Sequence, residues 1–202
     1  MTREGVMGIE WARWTDYITP EHNVRLAFTR MLAGPMDYTA GAFDNVTREQ
    51  FDWKKNNYTT MGTRAHQLAL FVIFESPLMM VSDYPGNIYK GNGSEFLKVV
   101  PTSWDEVHPI DSKLADYLVL ARKKGDDWFI GGITDWDARE VSFSLDFLGE
   151  GEYEMTLYQD GPNTDTDAKD AEVIRRTVNA RDDLTVKMAS GGGMAIHFKE
   201  LN

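Results

Sequence analysis

Tyr117-Leu118-Val119-Leu120-Ala121, then Arg122-Lys123-Lys124-Gly125-Asp126-Asp127, then Trp128-Phe129-Ile130 is the stretch on which the fold turns. Two apolar runs flank a charged turn containing glycine, which is the pattern of a β-hairpin set against a core. Similar runs follow at Val141–Phe147, Tyr153–Gln159, Val173–Thr177, Leu184–Met188 and Met194–Phe198, separated by Gly- and Asp-rich turns. Seven short strands with no helical period between them predict an antiparallel β-sandwich over residues 111–202. Gly191-Gly192-Gly193 reads as a tight turn before the last strand, because the lysine and following helix of a phosphate cradle are missing.

Upstream of about residue 110 the period changes to three and four. Thr19-Pro20-Glu21 starts a helix, with Thr19 as N-cap, and Val24, Ala27, Phe28, Met31 and Leu32 form its apolar stripe up to Gly34-Pro35. Met36-Asp37-Tyr38-Thr39 is too short for a helix and reads as a buried strand, followed by a polar and aromatic loop from Gly41 to Tyr58. A second helix runs from Thr63 through Phe74 to a stop at Pro77, apolar nearly all round, and a third spans about Ser94 to Val100. Helices alternating with a short buried strand are the units that close an α/β barrel. The expected organisation is therefore α/β followed by all-β: segments like the closing units of an α/β barrel over residues 1–110, then the sandwich.

Composition narrows the function. The 202 residues carry 32 Asp and Glu against 21 Lys and Arg, a net charge of −11, and no cysteine. Such a surface repels phosphate backbones, and no basic cluster exceeds Arg122-Lys123-Lys124, so a nucleic-acid partner is not expected. Thiolate catalysis and cysteine-ligated metals are excluded. No apolar run approaches the length of a membrane span, and residues 1–20 carry too many charges for a signal-peptide core.

The residues best suited to chemistry are near the start. Glu4 and Glu10 lie six apart with Gly5 and Gly8 between them, a spacing that suits a loop or irregular strand end better than a helix face. Asp37, at what would be the end of the eighth and last barrel strand, is a candidate to contact substrate or support the site, since barrel enzymes carry function at strand ends, and Asp44 in the following loop is a weaker one. His66 reads as a packing or hydrogen-bonding histidine, and His22, His108 and His197 are too scattered for a metal site. The aspartate-rich tract 160–170 lacks the glycine and closing glutamate of a calcium loop and reads as solvated. Trp128 alternates into the sandwich core, whereas Trp136 could offer a sugar a stacking face.

Arg3-Glu4-Gly5 with Gly8 and Glu10, Phe28 through Thr39, Gly62 through Leu70, Phe74 through Asp83, and Val100-Pro101-Thr102-Ser103-Trp104-Asp105-Glu106 together resemble glycoside hydrolase family 97. Ala40 departs from the pattern, where proline is expected before Gly41. The resemblance spans nearly the whole chain but only the C-terminal third or so of a family member. It implies a calcium-dependent, exo-acting α-glycosidase cleaving oligosaccharides, an α-glucosidase in the first instance and an α-galactosidase in the second. It further implies Glu10 as general acid and Glu4 as one calcium ligand, with the second catalytic carboxylate upstream. A homo-oligomer and a periplasmic parent enzyme also follow from it, with this chain inactive alone. The alternative is a non-catalytic sandwich module for oligomerisation or carbohydrate binding.

Overall fold

The computed structural model describes residues 6–41, 43–55 and 59–201. Its larger part is antiparallel. Strands β5 (Glu106–Lys113), β6 (Tyr117–Lys124), β7 (Asp127–Thr134), β9 (Glu152–Asp160), β10 (Ala171–Val178) and β12 (Gly193–Leu201) form a six-stranded sheet in the order β10-β9-β12-β7-β6-β5. Strands β8 (Arg139–Ser144) and β11 (Asp183–Met188) pair with each other as a second, smaller layer. The hairpin read from the sequence is β6–β7, with Lys124 opposite Asp127 across the turn.

Alternation assigns the two faces of the large sheet. Val119, Ala121, Ile130, Met155, Leu157, Met194 and Ile196 point to one side and pack with Val141, Phe143, Leu184, Val186 and Met188 of the small layer. Leu120, Phe129, Ile133, Tyr158 and Ala195, one register step away, point to the other side. A two-stranded layer covers one face of six strands only in part, and the opposite face would be bare without the helical half of the chain.

That half supplies α1 (Pro20–Phe28), α2 (Arg64–Ile73), α3 (Pro85–Lys90) and α4 (Ser94–Val99), with 3-10 turns at Ile9–Arg13, Arg30–Ala33 and Trp53–Lys55. Thr19 and Thr63 cap α1 and α2, each accepting from the backbone N–H three residues on, of His22 and His66, at 3.1 Å. Helix α2, apolar nearly all round, is enclosed nearly all round. Leu68, Leu70, Val72 and Ile73 are completely buried, each contributing about 1.5–3 kcal/mol. One side of α2 lies on β7 so closely that a Cβ on Gly131 would sit 2.8 Å from the Ala69 carbonyl oxygen. At its C-terminus the buried Arg122 on β6 donates to the Ile73 carbonyl at 3.2 Å. Helix α4 brings Phe96 against Phe129 and Tyr158, with ring centroids 6.2 and 5.5 Å apart.

The remaining strands form two short parallel pairs: β1 (Tyr38–Ala40) with β4 (Met79–Val81), and β2 (Asn45–Val46) with β3 (Thr60–Met61). The described residues form no closed barrel. Three differences from the sequence reading have physical causes. Strand β5 escapes the pattern because it is an exposed edge with Pro109 at its centre and an irregular register beside it, where a missing N–H is tolerated. Strand β4 is a three-residue apolar run after Pro77 and carries no alternation to read. Because β4 pairs in parallel with β1 and follows it in the chain, Met36–Thr39 does not mark the last parallel strand.

Candidate active site

Glu10 is displayed by the turn Ile9–Arg13. Ile9 and Ala12 are buried, and Ile9 packs with Ile18 and Met7 in a small apolar cluster, so the intervening Glu10 and Trp11 face outward. The Gly8 carbonyl accepts from Trp11 N–H at 3.0 Å, and the His22 ring contacts the Met7 carbonyl at 2.9 Å, which anchors the segment on α1. Burial holds the His22 imidazole below its ordinary pKa, so it meets that carbonyl as a neutral N–H donor. Gly8 leaves the carboxylate its place: a Cβ there would lie 2.5 Å from Glu10 Oε2 and 3.0 Å from the Thr39 nitrogen, so a side chain would push the carboxylate aside. The carboxylate therefore folds back over Gly8 beside β1. Tyr38 lies within reach of its charge, and burial first and Glu10 second push the Tyr38 hydroxyl far up.

Glu10 lines a cavity of about 190 Å³ with Ile9, Ala12, Arg13, Trp14, Thr59 and Ser82. Trp11 and Trp14 meet edge to face at 5.9 Å, and the Arg13 guanidinium stands 5.6 Å from the Trp14 ring centre. The sequence places Ile9, Trp11 and Trp14 around the acid as an apolar setting. In the fold Ile9 turns inward, Trp14 lines the cavity, and Glu10 itself is exposed. Thr59 and Ser82 come from distant loops, and nothing in their local sequence marks them.

Behind the site runs a buried hydrogen-bond chain. Tyr38 donates to Asn23 Oδ1 at 2.5 Å, Asn23 Nδ2 meets His66 Nε2 at 3.1 Å, and His66 Nδ1 meets the Gly192 carbonyl at 3.0 Å. The Gly192 carbonyl requires the proton on Nδ1, which leaves Nε2 to accept from Asn23. Burial pushes the His66 pKa down to about 4, so the ring is a neutral strut linking β1, α1, α2 and the sandwich, as the packing reading expects.

The other candidates fall elsewhere. Asp37 precedes β1 and does not line the Glu10 cavity, so it stands at the start of a strand rather than at the end where the sequence reading puts it; its Oδ1 is buried without a partner among the described residues. Asp44 pairs with Lys169 at 3.0 Å and ties the β1–β2 loop to the sandwich. Glu4 lies outside the described residues, and those residues hold no group of three His, Asp or Glu able to bind a metal. They do not make a calcium site by themselves. Asp160, which the sequence reading leaves in a solvated tract, is half-buried with its carboxylate turned inward. Its Oδ2 accepts from the N–H groups of Ala189 at 2.8 Å and Gly193 at 3.0 Å, and burial pushes its pKa up to about 6. A strand ending in aspartate before Gly161-Pro162 was the available sign.

The described site is thus an exposed carboxylate folded over a glycine beside a short parallel strand, with Trp14 at the cavity wall. Residues 103–199 match the family described as glycosyl-hydrolase 97 C-terminal, oligomerisation, and the chain belongs to glycoside hydrolase family 97 as a C-terminal portion. It is 38% identical over 199 residues, 97% of its length, to the retaining α-galactosidase of Bacteroides thetaiotaomicron, of which it covers 30%. Among solved structures it resembles the family 97 enzyme of Pseudoalteromonas sp. strain K8. The complex with panose matches at TM-score 0.87 and 38% identity, over all of this chain and 32% of that one. The complex with acarbose matches at 0.87 and 39%, with the same coverage. The chain thus spans about a third of the length of these relatives.

Proposed function

We propose that this chain is the C-terminal part of an exo-acting family 97 α-glycosidase, residues 1–110 completing a (β/α)8 barrel and residues 111–202 forming the sandwich. Glu10 is the general acid, protonating the departing glycosidic oxygen of an oligosaccharide. Its carboxylate is free to reach substrate because the Gly8 turn holds it at the surface of a cavity, and this observation carries the reading. A second carboxylate, outside this chain, attacks the anomeric carbon directly or through water. Glu4 is one calcium ligand, with the others also supplied from outside. The family description supports a homo-oligomer built through the sandwich, and a periplasmic location follows from the family resemblance.

Panose and acarbose in the solved relatives favour glucose at the cleaved position, whereas the name of the Bacteroides relative favours galactose and retention of configuration. The test uses the full-length enzyme that contains this chain. Glu10→Gln should lower kcat for an oligosaccharide by roughly 10²–10⁴-fold and much less for an aryl glycoside whose leaving group needs no proton. Equal losses on both substrates would refute the acid assignment. Paired aryl α-glucoside and α-galactoside assays decide the sugar, and the anomer first released decides the stereochemistry.

A further inference from the structure

We propose a second saccharide-binding site, in the cleft where the loop after β2 meets the sandwich loops around Trp136, Asp165 and Ser190. Five segments remote in sequence, the entry to α2 at Gly62-Thr63 among them, converge there on a cavity of about 500 Å³, a size typical of small-molecule pockets, and it shares no lining residue with the Glu10 cavity. The two tryptophans singled out from sequence separate at this point. Trp128 is 5% exposed and packs in the core, whereas Trp136 is half-buried and lines the cleft. The Ser190 hydroxyl donates to the Trp136 carbonyl at 2.6 Å and fixes its loop. Gly191 packs so closely on the six-membered ring of the indole that a Cβ there would lie 2.8 Å from Trp136 Cζ3, and the Arg48 guanidinium stands 5.2 Å from the ring centre.

The charges around this tryptophan are unspent. In a chain with an excess of eleven acids, Arg48 has no carboxylate partner among the described residues, and the exposed Glu49 and Asp165 have no cation. A lone guanidinium held on an indole, two unpaired carboxylates and the side chains of Thr47 and Ser190 present donors and acceptors around a partly apolar wall. Two carboxylates against one cation disfavour an anion, and Arg48 already occupies the position over the ring where a ligand cation would sit. An apolar ligand would strand the polar rim. A neutral polyhydroxylated ligand satisfies every group: carboxylates accept its hydroxyls, Arg48 donates to them, and its C–H face meets the indole edge.

The experiment titrates the 202-residue chain with maltotriose and follows the indole and backbone N–H signals by NMR. The expected result is weak, saturable shifting of Trp136 and its neighbours, retained in Glu10→Gln and weakened about tenfold or more, roughly 1.4 kcal/mol, in Arg48→Ala and in Asp165→Asn. Both variants alter exposed side chains, so signals elsewhere should stay in place and report an intact fold. No shift at Trp136 would overturn the proposal. Shifts confined to Trp11 and Trp14 would also overturn it, as would binding that both variants leave unchanged.

Discussion

Asp160→Asn should give this protein a pH-dependent stability that the natural chain masks. Asp160 and His66 stand on either side of the Gly192 turn: the carboxylate accepts from Gly193 N–H, and the imidazole meets the Gly192 carbonyl. Burial moves their pKa values in opposite directions, Asp160 from 3.8 up to about 6 and His66 from 6.5 down to about 4. An aspartate raised in the fold favours the folded state most below its unfolded value, and that advantage is lost as pH rises toward 6. A histidine depressed in the fold contributes fully above its unfolded value and loses that contribution as pH falls toward 4. At roughly 1.4 kcal/mol per pH unit each group is worth about 3 kcal/mol, over nearly the same window and with opposite sign. In the natural chain the two largely offset. Asparagine keeps one oxygen for the amides of Ala189 and Gly193 but cannot ionise. Urea unfolding of both chains at intervals from about pH 4 to pH 7 should show the variant gaining about 3 kcal/mol relative to the natural chain across that range. A difference constant to within about 1 kcal/mol would refute the linkage.

Gly131→Val should destabilise by roughly 1–3 kcal/mol or more, read as a lower urea midpoint, because its Cβ would lie 2.8 Å from the Ala69 carbonyl oxygen and 2.9 Å from Val72 Cβ. Arg122→Ala leaves the buried Ile73 carbonyl at the end of α2 without its donor and should cost about 1–3 kcal/mol by the same assay. Lys169→Ala removes a half-exposed ion pair with Asp44 and should change stability by no more than about 1 kcal/mol; a larger effect would mean that the loop carries more of the fold than its exposure suggests. The isolated chain should show no hydrolysis of an aryl α-glucoside, and a rate abolished by Glu10→Gln would contradict that expectation.

Legibility followed periodicity. Strands β8 and β11 alternate cleanly because each has one buried and one exposed face, whereas the central strands, covered on both faces, read as apolar runs; six strands of the structure, β6 and β8 to β12, overlap runs recognisable in the sequence, with β7 as the second arm of the hairpin. The caps at Thr19 and Thr63 were equally readable, since capping is local chemistry. Strand β4 and helix α3 were not, being three and six residues long and set by neighbours rather than by their own pattern. The site divides in the same way. A motif singles out Glu10, and the apolar helix points to the buried role of His66, but Asn23, Thr59 and Ser82 join them only by long-range folding. Asp160 was misread because a polar tract suggests solvent, whereas its first residue is drawn inside by two amide donors.

Helix α2 has a consequence for modularity. The family-matched segment begins at residue 103, yet the helix that fills one face of its sheet ends thirty residues earlier, at Ile73. A recombination that exchanged only the matched segment between relatives would pair a new β7 with an old α2 across the Gly131 contact. Grafts that carry both sides of that contact together should inherit a finished interior, and those that split it should not.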